Sequence, residues 1–317
     1  MKKRRLGKSS LVVSPICFGG NVLGWTADEA MSMKLLDAFC ESGANFIDTA
    51  DVYSRWVGGH KGGESETVLG RWLKRRGRRD ELIIATKVGM GMPEVGSGLS
   101  KAHIERSIDA SLKRLNTDYV DLYQSHTDDD KTPLEETLDT YARLIKAGKV
   151  RYIGASNYSA PRLAESLAVA RKLRLPEYVS LQPEYNLVVR AKYEAALMPL
   201  CERENIGVIG YYSLASGFLS GKYRPGMPGG ASPRAATAMG YLDARGLRIL
   251  AALDAVSAEH RTNPTRIALA WLMARPGVTA PIASATDLTQ LHDLIAAVDV
   301  VLTPAQMATL TAASATA

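Results

Sequence analysis

The sequence predicts an α/β protein, a (β/α)8 TIM barrel with an N-terminal β-hairpin, in which residues 1–317 form a single domain. Short apolar segments alternate strictly with helical patterns, eight such segments occur, and titratable residues stand at the ends of consecutive ones. Strict alternation implies a parallel sheet, and eight strands are the number that closes it. The length suits one such barrel, since barrels commonly run to about 250 residues or more.

The elements follow one another in a regular order. Residues 4–14 predict a hairpin, because Gly7-Lys8-Ser9-Ser10 supplies turn-forming residues between two short strands. The apolar segments predict strands at 16–18, 45–48, 82–87, 119–125, 152–156, 178–182, 207–211 and 279–282. Helical patterns occur at 28–42, 64–75, 100–115, 133–147, 159–174, 190–205, 264–274 and 288–297.

One connection breaks this order. About fifty residues separate the seventh strand from the helix that begins at Pro264, and they include Gly226-Met-Pro-Gly-Gly230. A glycine- and proline-rich connection of this length is uncommon in a compact domain. We expect a functional flap or a locally disordered loop there.

A net charge of +6 and the basic run Lys74-Arg-Arg-Gly-Arg-Arg79 raise the question of nucleic-acid binding. The run follows a helical pattern, so its cations stand at a helix C-terminus, where the helix dipole favours them. Interleaved aromatic residues and a recognised binding motif are absent from the sequence. We therefore expect no nucleic-acid partner.

The cysteines and histidines predict neither disulfides nor a metal site. Cys17, Cys40 and Cys201 are odd in number and widely spaced, as reduced cytosolic thiols are. The five histidines include no pair with zinc-motif spacing. The basic N-terminus precedes no apolar stretch of signal length, and no stretch is long enough to span a bilayer. We expect a cytoplasmic protein without membrane contact.

Four polar residues fall at the ends of consecutive predicted strands. Asp48 and Tyr53 belong to the second strand and its loop, Lys87 to the third strand and His126 to the fourth. In parallel barrels the C-terminal strand ends carry the catalytic groups. Each residue alone also has a structural interpretation, as a cap, a solvated strand end, rim packing or a core histidine. All four in this order favour one catalytic site.

The later strand ends suggest how a dinucleotide could be held. No glycine-rich Rossmann pattern and no Walker A sequence occurs, so side chains would have to hold it. Ser156, Asn157, Gln182 and Tyr211 stand at suitable strand ends. Amide side chains can donate to and accept from a nicotinamide carboxamide, and a tyrosine ring can stack on the nicotinamide. The alternative is that Asn157 and Gln182 only pair loop backbones.

With these motifs together, the chain resembles bacterial members of the aldo-keto reductase superfamily over nearly its whole length. The resemblance rests on the Asp-Thr-Ala-x-x-Tyr segment, the Thr-Lys strand end and the strand-end histidine, in the family's order. Further matching segments are Arg5-Leu-Gly-Lys8, Gly154-Ala-Ser-Asn157, Gln182-Pro-Glu-Tyr-Asn186 and Tyr211-Tyr-Ser-Leu-Ala-Ser-Gly-Phe-Leu-Ser-Gly-Lys-Tyr223. It implies a barrel whose catalytic tetrad is Asp48, Tyr53, Lys87 and His126.

The resemblance also implies the cofactor and its contacts. Ser156, Asn157 and Gln182 would hold the carboxamide, with Tyr211 under the nicotinamide. NADPH is expected first, because it is the usual cofactor of the family. NADH is a competitor, because residues 281–291 contain no lysine or arginine and Asp287 would repel a phosphate if it pointed inward. The loop at 213–242 is expected to fold over the dinucleotide. The other expected contacts are Ser213, Leu214, Ser216, Gly217, Lys222, Ser284, Thr286 and Gln290.

The expected reaction is the reversible reduction of an aldehyde or ketone, with Tyr53 as general acid. Lys87 would lower the pKa of Tyr53, Asp48 would keep Lys87 charged, and His126 would orient the carbonyl. Two alternatives remain: an NADH-preferring enzyme acting on a sugar or hydroxyl substrate, and a cofactor-sensing subunit of a membrane channel with little turnover. The substrate would be a small carbonyl or sugar-like molecule, walled by Trp25, Trp56, Asp128 and the flap around residues 223–241.

Overall fold

The computed structural model of the protein describes residues 1–92, 94–227 and 232–315, and at its centre lies an eight-stranded parallel sheet. The strands are β3 (Cys17–Gly19), β4 (Phe46–Asp48), β5 (Ile83–Val88), β6 (Val120–Ser125), β7 (Val150–Ser156), β8 (Ser180–Gln182), β9 (Gly207–Val208) and β10 (Ile282–Ala283). Strands β3 to β9 lie side by side in chain order, and β10 lies beside β3. A parallel bridge between Val208 and Val278 joins the two ends of the sheet. The predicted TIM barrel is therefore confirmed.

Helices connect the strands on the outside of this sheet. They are α1 (Glu29–Glu41), α2 (Glu64–Arg76), α3 (Lys101–Leu115), α4 (Leu134–Lys146), α5 (Ala160–Leu173), α6 (Met198–Arg203), α7 (Ala235–Met239), α8 (Ala244–Glu259), α9 (Pro264–Met273), α10 (Leu288–Ala296) and α11 (Pro304–Ala313). Short polar side chains begin several of them, as Asp28 does for α1 by accepting from the Met31 amide at 2.8 Å. None of the helices among the described residues is long and apolar enough to cross a membrane.

The predicted N-terminal hairpin is present, and it covers the N-terminal end of the barrel. Strands β1 (Arg4–Arg5) and β2 (Val12–Val13) pair antiparallel. Gly7 has a φ of +52°, and a Cβ there would collide with the Val179 carbonyl, so the turn approaches the sheet as only glycine allows. Leu6, Leu11 and Val13 belong to one buried cluster with residues from the strand starts. The C-terminal strand ends remain open to carry a site.

The fifty-residue connection is more ordered than the sequence pattern suggests. It contains a 3₁₀ helix (Ala215–Ser220), α7 and the sixteen-residue helix α8, which packs against α9 and α11. Neither α8 nor α11 was expected, because the alternation of strands and helices assigns one helix to each strand. Residues 228–231 of the glycine-rich segment lie outside the described residues.

Candidate active site

A cavity of about 1000 Å³ opens at the C-terminal end of the barrel. Its wall includes Tyr53 and His126 of the predicted tetrad. All twelve predicted cofactor contacts also line it: Ser156, Asn157, Gln182, Tyr211, Ser213, Leu214, Ser216, Gly217, Lys222, Ser284, Thr286 and Gln290. The strand ends and the connection after β9 thus converge on one space.

Lys87 joins Asp48 to Tyr53 beneath this cavity. Its ammonium lies 2.6 Å from Asp48 Oδ2 and 2.8 Å from the Tyr53 hydroxyl, and it donates to the Thr49 carbonyl at 2.9 Å. Asp48 and Lys87 are both fully buried. Because a buried ammonium requires acceptors for its three protons, these contacts fix it in one position. Neighbouring parallel strands β4 and β5 supply the acid and the lysine.

Tyr53 holds its proton more tightly than the sequence suggested. Burial, followed by the negative charge of Asp48, raises the pKa of the Tyr53 phenol well above its ordinary value. The expected lowering of this pKa is therefore wrong, because the phenol is buried next to the Asp48 carboxylate. The phenol is therefore protonated at neutral pH. It remains a competent acid toward an alkoxide, which is a far stronger base, and Lys87 can stabilise the resulting phenolate.

His126 stands beside Tyr53 as a neutral imidazole. The two rings meet edge-on with centroids 5.9 Å apart. Burial, followed by the positive charges of Lys87 and Arg55, lowers the pKa of His126 well below its ordinary value. Its Nδ1 contacts no partner among the described residues. A neutral imidazole next to a phenol can orient a carbonyl oxygen by a hydrogen bond without competing for its proton.

The second oxygen of Asp48 binds two glutamines. Gln124 and Gln182 each donate from Nε2 to Asp48 Oδ1 at 3.0 Å. Gln124 was not singled out in the sequence. Its only signal there is its position two residues before His126, since alternate residues of a strand share a face.

Ser156, Asn157 and Tyr211 form a connected group on the cavity wall. Ser156 Oγ donates to the backbone carbonyl of Gln182 at 2.9 Å, and the Tyr211 hydroxyl donates to Asn157 Oδ1 at 2.8 Å. Asn157 adopts a left-handed φ of +58° and donates to the His126 carbonyl at 3.0 Å. Asn157 therefore does pair with a loop backbone, which is the structural role considered for it. The same hydrogen bond holds the Asn157 side-chain amide in place at the cavity wall.

The cavity wall that β10 and the following residues form contains polar groups, and its lining residues include no lysine or arginine. Thr286 Oγ1 donates to Gln290 Oε1 at 3.2 Å, and Asp287 points to the start of α10, where it accepts from the Gln290 amide. Asp293 lines the wall and lies 2.8 Å from Arg266. Asp287 is not among the lining residues, so the repulsion of a cofactor phosphate that the sequence suggested does not arise at the cavity wall.

Arg234 is a cavity residue in the flap that was expected to line the pocket, although the sequence did not single it out. Its guanidinium lies 5.4 Å from the Trp25 ring centroid. The Asn21 side-chain amide is oriented with its nitrogen toward Ser284. In this orientation its oxygen accepts a hydrogen bond from Arg234 at 2.5 Å. Burial lowers the pKa of Arg234. Its position in the long glycine-rich connection gave no signal, because that segment follows no periodic pattern.

Aromatic residues wall the mouth near Tyr53. Trp25 and Trp56 meet edge-on at 5.4 Å, and Trp56 also meets Tyr53 at 6.0 Å. Asp128, the third expected substrate residue, is not among the lining residues; it lies 2.9 Å from Arg162. The two tryptophans remain candidates for substrate contact, and Asp128 is better explained as an ion-pair partner.

Asp51 is a buried acid behind this site. Neither of its carboxylate oxygens has a hydrogen-bond partner among the described residues. Burial, followed by the charge of Glu66, raises its pKa from 3.8 to about 8. The folded protein therefore keeps a proton on Asp51 that the unfolded chain releases above about pH 4.

This proton predicts a pH-dependent stabilisation by Asp51→Asn. Between about pH 4 and about pH 8 the folded state retains a proton that the unfolded state has released, so the wild-type free energy of unfolding falls as pH rises. Asparagine does not titrate, so the variant lacks this loss of stability. The variant should gain nothing at pH 4 and on the order of a few kcal/mol at pH 8, levelling above it. Urea unfolding across this range measures the gain. Asp118→Asn, at an exposed aspartate, is the control, and a gain independent of pH would contradict the assignment.

The chain is similar to known proteins over nearly its whole length. The family model described as Aldo/keto reductase family matches residues 15–315. The chain is 34% identical over 309 residues to the protein named uncharacterized oxidoreductase YrpG of Bacillus subtilis (strain 168), covering 95% of this chain and 92% of that protein. It is 35% identical over 314 residues to a protein named probable voltage-gated potassium channel subunit beta of Arabidopsis thaliana, covering 96% and 94%. A closed barrel with a lysine-centred acid and phenol at its C-terminal end, matched over this length, places the chain in the aldo/keto reductase family.

Proposed function

We propose that this protein reduces an aldehyde or ketone to the alcohol, reversibly, with NADPH as hydride donor and Tyr53 as general acid. The observation that carries the proposal is the contact of one buried ammonium, Lys87, with both Asp48 and the Tyr53 phenol under an open cavity. Reduction of a carbonyl needs hydride at carbon and a proton at oxygen. Tyr53 offers that proton at the cavity wall.

The cavity residues fit a nicotinamide dinucleotide. A volume of about 1000 Å³ is at the upper end of the range for small-molecule sites. Ser156, Asn157 and Gln182 would hold the carboxamide, and Tyr211 would offer its ring face to the nicotinamide. The cofactor would supply the hydride. The other lining residues after β9 and β10 would contact the remainder of the dinucleotide.

The chain's own side chains would divide the remaining work. His126, as a neutral imidazole, would orient the substrate oxygen toward Tyr53. Lys87 would stabilise the phenolate left after proton transfer, and Asp48 would hold Lys87 in place. Trp25 and Trp56 would wall a small carbonyl or sugar-like substrate.

NADPH should bind more tightly than NADH, but by about tenfold or less. Lys222 and Arg234 line the cavity, but the lining residues that follow β10 include no lysine or arginine, and among them Asp293 carries a carboxylate that already pairs with Arg266. Each charge-assisted hydrogen bond to a 2′-phosphate is worth roughly 1.5–3 kcal/mol, so the lack of a cation in this segment weakens the discrimination. Fluorescence titration with both cofactors measures the ratio. A clear preference for NADH would overturn the ranking.

The purified protein should oxidise NADPH when given a suitable carbonyl compound. A panel of aldehydes, ketones and sugars with each reduced cofactor tests this, and it would also reveal an NADH-preferring enzyme acting on a sugar or hydroxyl substrate. A second candidate function is a cofactor-sensing subunit with little turnover, which the named channel-subunit relatives favour. Many turnovers per protein would support the enzyme, whereas tight cofactor binding with at most one turnover would support the sensor.

A further inference from the structure

We propose that Gln124 is a positioning residue that fixes which end of the Gln182 amide faces the cavity, and thereby sets recognition of the nicotinamide carboxamide. The inference rests on the proposed function, because it requires a nicotinamide cofactor in the cavity. It concerns a side chain that does not itself line the cavity.

Three buried groups form a closed set of hydrogen bonds. Gln124 and Gln182 each donate from Nε2 to Asp48 Oδ1 at 3.0 Å. Gln182 Nε2 also donates to Gln124 Oε1 at 3.1 Å. Both amide nitrogens of this set face acceptors, so Asp48, Gln124 and Gln182 hold one another in a single arrangement.

The set allows only one orientation of the Gln182 amide. Turning that amide over would place Gln182 Oε1 against Asp48 Oδ1 and Gln124 Oε1, and three acceptors would then face one another in a buried space. Asp48 cannot turn away, because Lys87 holds its other oxygen at 2.6 Å. No described residue donates to Gln182 Oε1, and Gln182 lines the cavity. The side-chain carbonyl oxygen of Gln182, Oε1, therefore faces the cavity.

The barrel leaves room for Gln124 at this point. Gln124 is fully buried on β6, with Lys87 of β5 and Gly154 of β7 as its direct neighbours. A Cβ at Gly154 would lie 3.2 Å from Gln124 Cγ and closer still to Ser180 Oγ. The missing side chain at Gly154 thus accommodates a glutamine directed at Asp48.

A fixed carbonyl has a chemical consequence. Gln182 Oε1 can accept a hydrogen bond from the carboxamide NH₂ of the natural cofactor, but it has nothing to accept from an acetyl group. Without Gln124, the Gln182 amide loses one of its two acceptors, and only Asp48 Oδ1 still opposes the turned-over amide that presents NH₂ to the cavity, so that orientation becomes more populated. Discrimination between carboxamide and acetyl cofactors should then fall.

The test compares binding of NADPH with that of its reduced 3-acetylpyridine analogue, by fluorescence or calorimetric titration. Wild-type protein should bind NADPH more tightly by about tenfold, the value of one hydrogen bond to an uncharged group. Gln124→Met, which keeps the chain length, should lower this ratio, because only Asp48 then orients the Gln182 amide. Gln124→Leu is the second variant if methionine packs poorly. Adding Gln124→Met to Gln182→Met should change the ratio no further, because Gln124 acts through Gln182.

Ser180→Ala is the matched control. Its hydroxyl is buried in the same part of the barrel and has no hydrogen-bond partner among the described residues, so its removal tests disturbed packing alone. It should leave the ratio as in wild type. A wild-type ratio retained in folded Gln124 variants, or a wild-type protein that binds NADPH without discriminating, would overturn the inference and leave the proposed function intact. Failure of wild type to bind either nicotinamide would overturn both.

Discussion

Replacing Tyr53 with phenylalanine should lower the rate of carbonyl reduction by about 10²–10⁴-fold, the usual contribution of a positioned general acid. The variant keeps the ring and its edge-on contacts with His126 and Trp56 but loses the hydroxyl that Lys87 contacts at 2.8 Å. Steady-state rates with a reactive aldehyde measure the loss.

Cofactor affinity separates this role from a structural one. Titration of NADPH into Tyr53→Phe should give a Kd near that of wild type, because the phenol contributes its proton to the substrate. A variant that reduces aldehydes at close to the normal rate would refute the assignment and make His126 the leading acid. His126 is a poorer candidate, because its pKa is lowered and the imidazole is therefore neutral near pH 7, without the acidic proton of an imidazolium.

The part of the site that the sequence predicts is the part fixed by strand order. Asp48, Lys87 and His126 could be placed together because parallel strands in chain order bring their C-terminal ends to one rim. The structure places these residues as expected relative to one another. The charge balance at Tyr53 could not be predicted in the same way, because it depends on how much water the fold excludes, and burial raises the pKa of Tyr53 instead of lowering it.

The residues that the sequence missed depend on register or on irregular backbone. Gln124 faces inward only because β6 has one particular register with β5 and β7, which no motif specifies. Arg234 reaches the cavity from a connection without periodicity. Asp128 follows a strand end as a site residue would, but Arg162 of α5 holds it at 2.9 Å. Helix α8 was missed because no strand precedes it.

Lys87→Met should both abolish most of the activity and destabilise the fold. Without the ammonium the phenolate has no charged partner, so reduction should slow by about 10²–10³-fold, as when one preorganised donor is lost. Asp48 would remain fully buried with a charge opposed by no cation. Removing one partner of a buried pair costs roughly 3–5 kcal/mol. Steady-state rates and urea unfolding measure the two effects.

The double variant Asp48→Asn with Lys87→Met distinguishes the two causes. It removes both buried charges, and an asparagine can still accept from the two glutamines, so much of the lost stability should return. Activity should not return, because nothing then supports the phenolate. Recovery of the rate along with the stability would show that Lys87→Met had slowed reduction only by loosening the fold, and Lys87 would lose its place in the chemistry.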